Sequence, residues 1–153
     1  MSEYIHKSHN VSVLLYHLVC PTKYRRAMVT VPAEETLKKI CGYMETSYEI
    51  TSLEIGSDLD HVHFLIQSVP SLSPSRLAQI IKSITARELR SRLPILWESL
   101  WGAAFWSAGY FINTVGRAGS ESTIRRYVEQ QGKAKDYRRV YTPQAESSQL
   151  NLF

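Results

Sequence analysis

Apolar and polar positions change period several times along the chain, and each change marks an element. From Val11 to Cys20, "VSVLLYHLVC", β-branched and large apolar residues run up to Pro21, which predicts a strand. Alternation gives this strand two apolar faces. Val11, Val13, Leu15 and Val19 share one face with His17, while Leu14, Tyr16 and Leu18 share the other, so the sheet needs cover on both sides. Pro32 with Glu34 and Glu35 then opens a helix, proline suiting the first turn and the acids the positive end of the dipole; Leu37, Ile40, Cys41 and Met44 form its stripe. "YEITSLEIGS" and "HVHFLIQSV" read as two strands of a hairpin across a short Gly/Ser/Asp turn. Ser73 as N-cap, with Pro74 behind it, starts a second helix. Its Leu77, Ile80, Ile81 and Ile84 repeat at helical spacing, and Arg76, Lys82, Arg87, Arg90 and Arg92 make its other side basic. After the Trp-rich link "LWESLWGAAFW", "AGYFINTVG" reads as a fourth strand, and a last helix runs from Ser120 to Gln131, stopped by Gly132.

The order β-α-β-β-α-β-α predicts an α+β fold: a ferredoxin-like β-α-β-β-α-β sandwich, with an antiparallel sheet and two helices on one face, plus a C-terminal helix. One short terminal helix covers little of the second sheet face, so a homodimer is expected to help. The 153 residues suit a single domain, placed at 1–141, followed by a flexible polar tail at 142–153.

Composition sharpens this picture in three respects. Hydrophobic residues at 44% and charged residues at 21% exclude a disordered chain. The N-terminus "MSEYIHKSHN" has no apolar core, and no apolar run approaches the ~20 residues of a membrane span, so a soluble cytoplasmic protein is expected. Cys20 and Cys41 lack C-x-x-C spacing and a secretory context, and read as reduced, buried thiols. The net charge of +4 is concentrated: between Gly116 and Pro143 seven basic residues face three acidic ones, which accounts for the whole excess. A locally positive C-terminal third points towards a polyanion such as nucleic acid.

The chemistry-bearing stretch is "DLDHVHFLIQS", Asp58 to Ser68. On a strand His61 and His63 project together, while Val62, Phe64 and Ile66 face the other way. Two imidazoles in register can chelate one ion, or can be half-buried polar residues satisfied by hydrogen bonds; an isolated H-x-H favours the second reading. In "SESTIRRYVEQQG", Ile124, Tyr127, Val128 and Gln131 form the packing stripe of an amphipathic helix, and two of the four are polar. Tyr127 and Gln131 stand one turn apart and offer a phenol and an amide carbonyl to whatever this face meets. They are either the polar end of a core stripe or the completion of a site opened by the histidines.

Four segments in this order, "YHLVCPTKYRR", "DHVHFLI", "FWSAGYFINTVG" and "RRYVEQQ", resemble the single-tyrosine HUH transposases of small bacterial and archaeal insertion sequences, the TnpA or IS200-like type. The resemblance spans most of the chain. Departures lie at "LVCP", where a Trp commonly precedes the Cys-Pro, and at Leu59, where a Pro is common. The family implies a ferredoxin-like dimer that cuts and rejoins single-stranded DNA with hairpin ends. Carried over residue by residue, it implies Tyr127 as nucleophile and His61, His63 and Gln131 as ligands of Mg²⁺ or Mn²⁺. Asp60 is placed either to orient a ligand histidine or as a plain turn residue.

A phenol with an ordinary pKa near 10 is a poor nucleophile at neutral pH unless its phenolate is stabilised, and no dedicated general base is evident. The expected products are a free 3′-hydroxyl and a 5′-phosphotyrosine, whose retained bond energy lets a second 3′-hydroxyl rejoin the strands. Lys23, Arg25, Arg26, Arg76, Lys82, Arg87, Arg125, Arg126 and Lys133 are the expected DNA contacts. Competing classes are a domesticated or replication-type HUH nuclease and a non-catalytic ferredoxin-like nucleic-acid binder. The absence of an appended helicase or zinc domain disfavours an initiator, and a phenol paired with a histidine couple disfavours pure binding.

The tail ends in "QLNLF". Gln149, Leu150, Leu152 and Phe153 resemble the pentapeptide by which bacterial proteins engage the DNA polymerase sliding clamp, and intramolecular docking is the competing use. Burying such side chains contributes ~1.5–3 kcal/mol each, enough for weak peptide binding. Removal of Leu152 and Phe153 is expected to abolish co-precipitation with the clamp, and an unchanged pull-down excludes this role.

Overall fold

The computed structural model describes residues 4–98, 104–116 and 138–141. Two short strands, β1 (Ile5–His6) and β2 (Val11–Ser12), pair with each other in a hairpin whose turn is closed by the Lys7 N–H donating to the Asn10 carbonyl at 2.8 Å. The long strand β3 (Leu14–Pro21) therefore begins at Leu14 and not at Val11. Val11 pairs with His6 and stays exposed, so an apolar run that looked continuous is shared between two sheets.

A single 3-10 turn at Lys23–Arg25 leads to α1 (Val31–Tyr48). Thr30 caps that helix by accepting from the Ala33 N–H, and Pro32 sits in its first turn, where a missing donor is harmless. The predicted second strand starts later than "YEITS" suggested. Tyr48 closes α1, Glu49 takes a left-handed conformation with φ 59°, and β4 (Thr51–Asp58) follows. Strand β5 (His61–Ser68) completes the hairpin. Helix α2 (Pro74–Arg92) is capped by the Ser73 hydroxyl, which accepts from the Arg76 N–H at 3.1 Å. A short α3 (Pro94–Glu98), β6 (Phe111–Val115) and β7 (Arg138–Tyr141) make up the remainder.

Strands β6-β3-β5-β4-β7 form one sheet in that order, antiparallel throughout. The order of β6, β3, β5 and β4 is that of the expected ferredoxin-like sandwich, and β7 is an addition beside β4. The reading of the sequence missed β7 because its arginines made 138–141 look like part of a solvated basic segment. The predicted helix 120–131 and the tail 142–153 lie outside the described residues.

Both helices cover one sheet face. Tyr16, Leu18 and Cys20 of β3 and Val62, Phe64 and Ile66 of β5 join Leu37, Ile40, Cys41 and Met44 of α1 and Leu77, Ile80, Ile81 and Ile84 of α2 in one core. On the opposite face Leu15, Leu53, Leu65 and Val115 form a separate small cluster. These four are already buried in the single chain, so their cover does not require a second subunit. Cys20 and Cys41 are free and buried, and burial pushes their thiols up to about 12 and about 11, keeping both protonated and inert. Among the described residues no helix is long and apolar enough to cross a membrane.

Helix α2 also fixes the approach to β6. The buried Trp106 indole N–H donates to the Thr85 hydroxyl at 2.8 Å, and that hydroxyl donates to the Ile81 carbonyl at 2.7 Å. Replacing Thr85 by the near-isosteric Val leaves the indole donor buried and unmet. A loss of about 1–3 kcal/mol in unfolding free energy is expected from urea titration; an unchanged midpoint would contradict this role for the hydroxyl.

Candidate metal centre on the second sheet face

The register of β3 against β5 sets Pro21 opposite His61, Val19 opposite His63 and His17 opposite Leu65. Side chains on paired positions share a face. His61, His63 and His17 therefore all project away from the two helices. The His61 and His63 rings lie 4.8 Å apart at an interplanar angle of 67°. His17 stacks on His63, with centroids 5.4 Å apart and planes within 11°, and its Nε2 lies 3.1 Å from His63 Nδ1.

His17 and His63 are both 1% exposed. Desolvation lowers the His17 pKa to about 4, and desolvation with the neighbouring His61 and His17 lowers that of His63 to about 3, so both rings are neutral near neutral pH. In the tautomer that carries its proton on Nδ1, donating to His17 Nε2, His63 has its lone pair on Nε2. That nitrogen is buried and has no hydrogen-bond partner among the described residues. In that tautomer the nitrogen can accept a metal ion while the other ring nitrogen is held by a neighbour.

His61 is bracketed by carboxylates. Its Nδ1 lies 2.7 Å from Asp60 Oδ1 and its Nε2 lies 3.2 Å from Asp58 Oδ2. A neutral imidazole has one N–H, so it can donate to only one of these. Donation to Asp60 leaves Nε2 of His61, like Nε2 of His63, as the lone pair. Two such imidazoles fit half of an ion site. Among the described residues no three His, Cys, Asp or Glu side chains converge to hold a metal. Gln131, the ligand implied by the resemblance, lies outside the described residues, as do Tyr127, Arg125, Arg126 and Lys133 and the tail residues Gln149, Leu150, Leu152 and Phe153.

The turn carrying Asp60 is strapped to the end of β3. The Thr22 N–H donates to the Asp60 carbonyl at 2.9 Å, and the fully buried Thr22 hydroxyl donates to the carbonyls of Arg26 at 2.6 Å and Asp60 at 3.1 Å. The Val29 N–H adds a bond to the Leu59 carbonyl at 2.9 Å. The loop with Lys23 and Arg26 is thus held at the same sheet end as His61; of Arg25 only the backbone is described.

The basic side of α2 is elsewhere. Because α2 packs on the face bearing Val62 and Phe64, the sheet separates Arg76, Lys82 and Arg87 from the histidines. Lys82 is engaged there: its Nζ donates to the carbonyls of Ser107 at 2.8 Å and Ala108 at 3.0 Å and sits 5.3 Å from the Tyr110 ring centroid. Arg76 donates to Gln79 at 3.0 Å. Arg87 and Arg90 border a groove of about 440 Å³ between α2 and residues 104–108. The sequence reading overlooked two neighbours of the pair, His17 and Asp58. His17 was counted only as a member of an apolar face, and the period-two spacing that aligned His61 with His63 says nothing about which residue of another strand stands beside them.

Comparison with known proteins adds family relationships to this geometry. A family described as "Transposase IS200 like" matches residues 10–131, a span that begins just before β2 and includes the positions of Tyr127 and Gln131. The chain is 30% identical over 120 residues to the ISDra2 transposase TnpA of Deinococcus radiodurans, covering 77% of this chain and 84% of that one. It is 27% identical over 120 residues to the transposase for insertion sequence element IS200 of Salmonella typhimurium, with 76% and 75% covered. A crystal structure of a candidate transposase from Deinococcus radiodurans R1 matches with a TM-score of 0.65 at 27% identity, over 83% of this chain and 97% of that one.

Exchange of Thr22 for Val keeps the shape and removes both hydroxyl bonds. It is expected to lower unfolding free energy by about 1–2 kcal/mol while Thr22→Ser retains most of it, measured by urea titration; equal midpoints for both variants would show that the strap carries no stability.

Proposed function

Because the chain belongs to the IS200-like transposase family, we propose that it cuts and rejoins single-stranded DNA with Tyr127 as nucleophile, at a site where His61, His63 and Gln131 hold a divalent ion. The observation that carries this reading is the buried Nε2 of His63, without a hydrogen-bond partner among the described residues, beside His61 on one strand face. A purely structural histidine pair would have its nitrogens satisfied by protein groups. Two imidazoles and an amide oxygen would suit Mn²⁺ better than the oxygen-preferring Mg²⁺. An ion held by His61, His63 and Gln131 would supply Lewis-acid stabilisation of the charge that builds up in phosphoryl transfer.

The chain's own residues supply the remainder. Tyr127 Oη bonds to phosphorus as the P–O3′ bond breaks, leaving a 3′-hydroxyl and a 5′-phosphotyrosine. Attack by another 3′-hydroxyl reverses the exchange and frees the phenol, so no nucleotide cofactor is consumed. His17, 3.1 Å from His63 Nδ1, and Asp60, 2.7 Å from His61 Nδ1, are the groups that orient the two rings. The partners in this reading are single-stranded DNA with hairpin ends, a second copy of the chain and, through residues 149–153, a sliding clamp. Support for the second copy comes from β6, which among the described residues pairs only with β3 and leaves Phe111 exposed on the sheet edge.

Incubation with labelled single-stranded DNA from the flanks of its own gene and Mn²⁺ is expected to give a covalent adduct on a denaturing gel. Chelation or His63→Ala should reduce its formation at least ~100-fold, the scale on which one stabilising group acts in catalysis, and Tyr127→Phe should abolish it. An adduct that survives Tyr127→Phe overturns the assignment.

A further inference from the structure

Tyr24 has an arrangement that folding does not account for. It lies in the single 3-10 turn with φ 59° and ψ 21°, a left-handed conformation that side chains with a Cβ adopt at a penalty and glycine does not. Its side chain recovers nothing by burial, since the residue is 70% exposed. Strain of this kind persists only where the surroundings enforce it. They do so here: the Lys23 N–H donates to the Phe105 carbonyl at 2.8 Å, the Arg26 N–H to the Lys23 carbonyl at 3.3 Å, and Thr22 ties the Arg26 carbonyl to the turn at Asp60. The loop is a braced mount that holds an aromatic ring out in solvent.

Two cations attend that ring. Lys23 Nζ lies 5.2 Å and Arg26 Cζ 5.5 Å from its centroid. A flat exposed ring flanked by positive charge has the chemistry of a single-stranded nucleic-acid platform, on which an unpaired base stacks while neighbouring phosphates meet the cations. Its position suits the site: Pro21 pairs with His61, Tyr24 follows three residues on, and Thr22 is bonded to Asp60, next to His61.

We propose that Tyr24 is a stacking platform for one unpaired base of the DNA strand that enters the His61–His63 site, with Lys23 and Arg26 serving its flanking phosphates. This rests on the reading of that site as one that handles single-stranded DNA. Lys23 and Arg26 supply charge for any sequence, whereas Tyr24 fixes where along the strand a base is held, and so sets the register of the strand at the site.

Fluorescence anisotropy with the full chain tests this, using a labelled single-stranded oligonucleotide from the flanks of its gene and a matched set with one abasic position each. Tyr24→Ala and Tyr24→Gly are expected to weaken binding about 5- to 100-fold, the range that loss of one base–aromatic stack produces. Tyr24→Phe and Tyr24→Trp should stay within about 3-fold of the wild type, because they keep a ring that stacks and binds cations. Tyr24→Gly relaxes the left-handed backbone, so its thermal midpoint should equal or exceed that of Tyr24→Ala, which separates lost binding from lost folding. One abasic position should reproduce the loss in the wild type and add nothing to Tyr24→Ala. Tyr24→Ala binding as tightly as the wild type, Tyr24→Phe losing as much as Tyr24→Ala, or losses that add at every abasic position would each overturn the platform while leaving the wild-type adduct intact. A wild type that binds no single-stranded DNA overturns the functional reading beneath it.

Discussion

The pairing of β3 with β5, in the register that sets Val19 across from His63, is the constraint on which the site depends. Side chains alternate across a strand, so a slip of one residue would drive His61 and His63 into the helix-covered core and turn Val62, Phe64 and Ile66 outwards. The apolar set on β5 prevents this, because Phe64, Val62 and Ile66 are fully buried against α1 and α2. The same register brings His17 onto His63. A core-packing requirement on one face thus positions a hydrogen-bonded imidazole stack on the other.

This division of labour keeps His17 and His63 buried on one face while the core is packed on the other. Desolvation keeps His17 and His63 neutral and therefore able to offer lone pairs, while the strap from Thr22 to Asp60 holds the adjacent turn without using His63 Nε2. The basic side of α2 belongs to another surface. Lys82 Nζ bonds backbone carbonyls of the segment before β6, and among the described residues Lys23 and Arg26 bring positive charge to the sheet end of the histidines.

Much of this was legible in the order of residues. Period-two alternation separated His61 and His63 from Val62 and Phe64, and caps at Thr30 and Ser73 agree with helices marked by Pro32 and Pro74. Four ordered segments pointed to the family to which the chain belongs. What stayed hidden depended on partners remote in sequence. His17 reads as one polar residue in an apolar strand until β5 is laid beside it. Arg138–Tyr141 reads as charge until β4 offers it an edge. The carbonyls of Ser107 and Ala108 around the Lys82 ammonium group are not visible from spacing, and no periodicity foretells a left-handed Tyr24.

The proposed site has His61 and His63 binding one ion, each through one ring nitrogen. Pulsed electron paramagnetic resonance on the Mn²⁺-loaded protein, with histidine carrying ¹⁵N, reads this directly. Two coupled imidazole nitrogens are predicted for the wild type and one for His63→Ala. Bound Mn²⁺ with no nitrogen coupling would contradict the account.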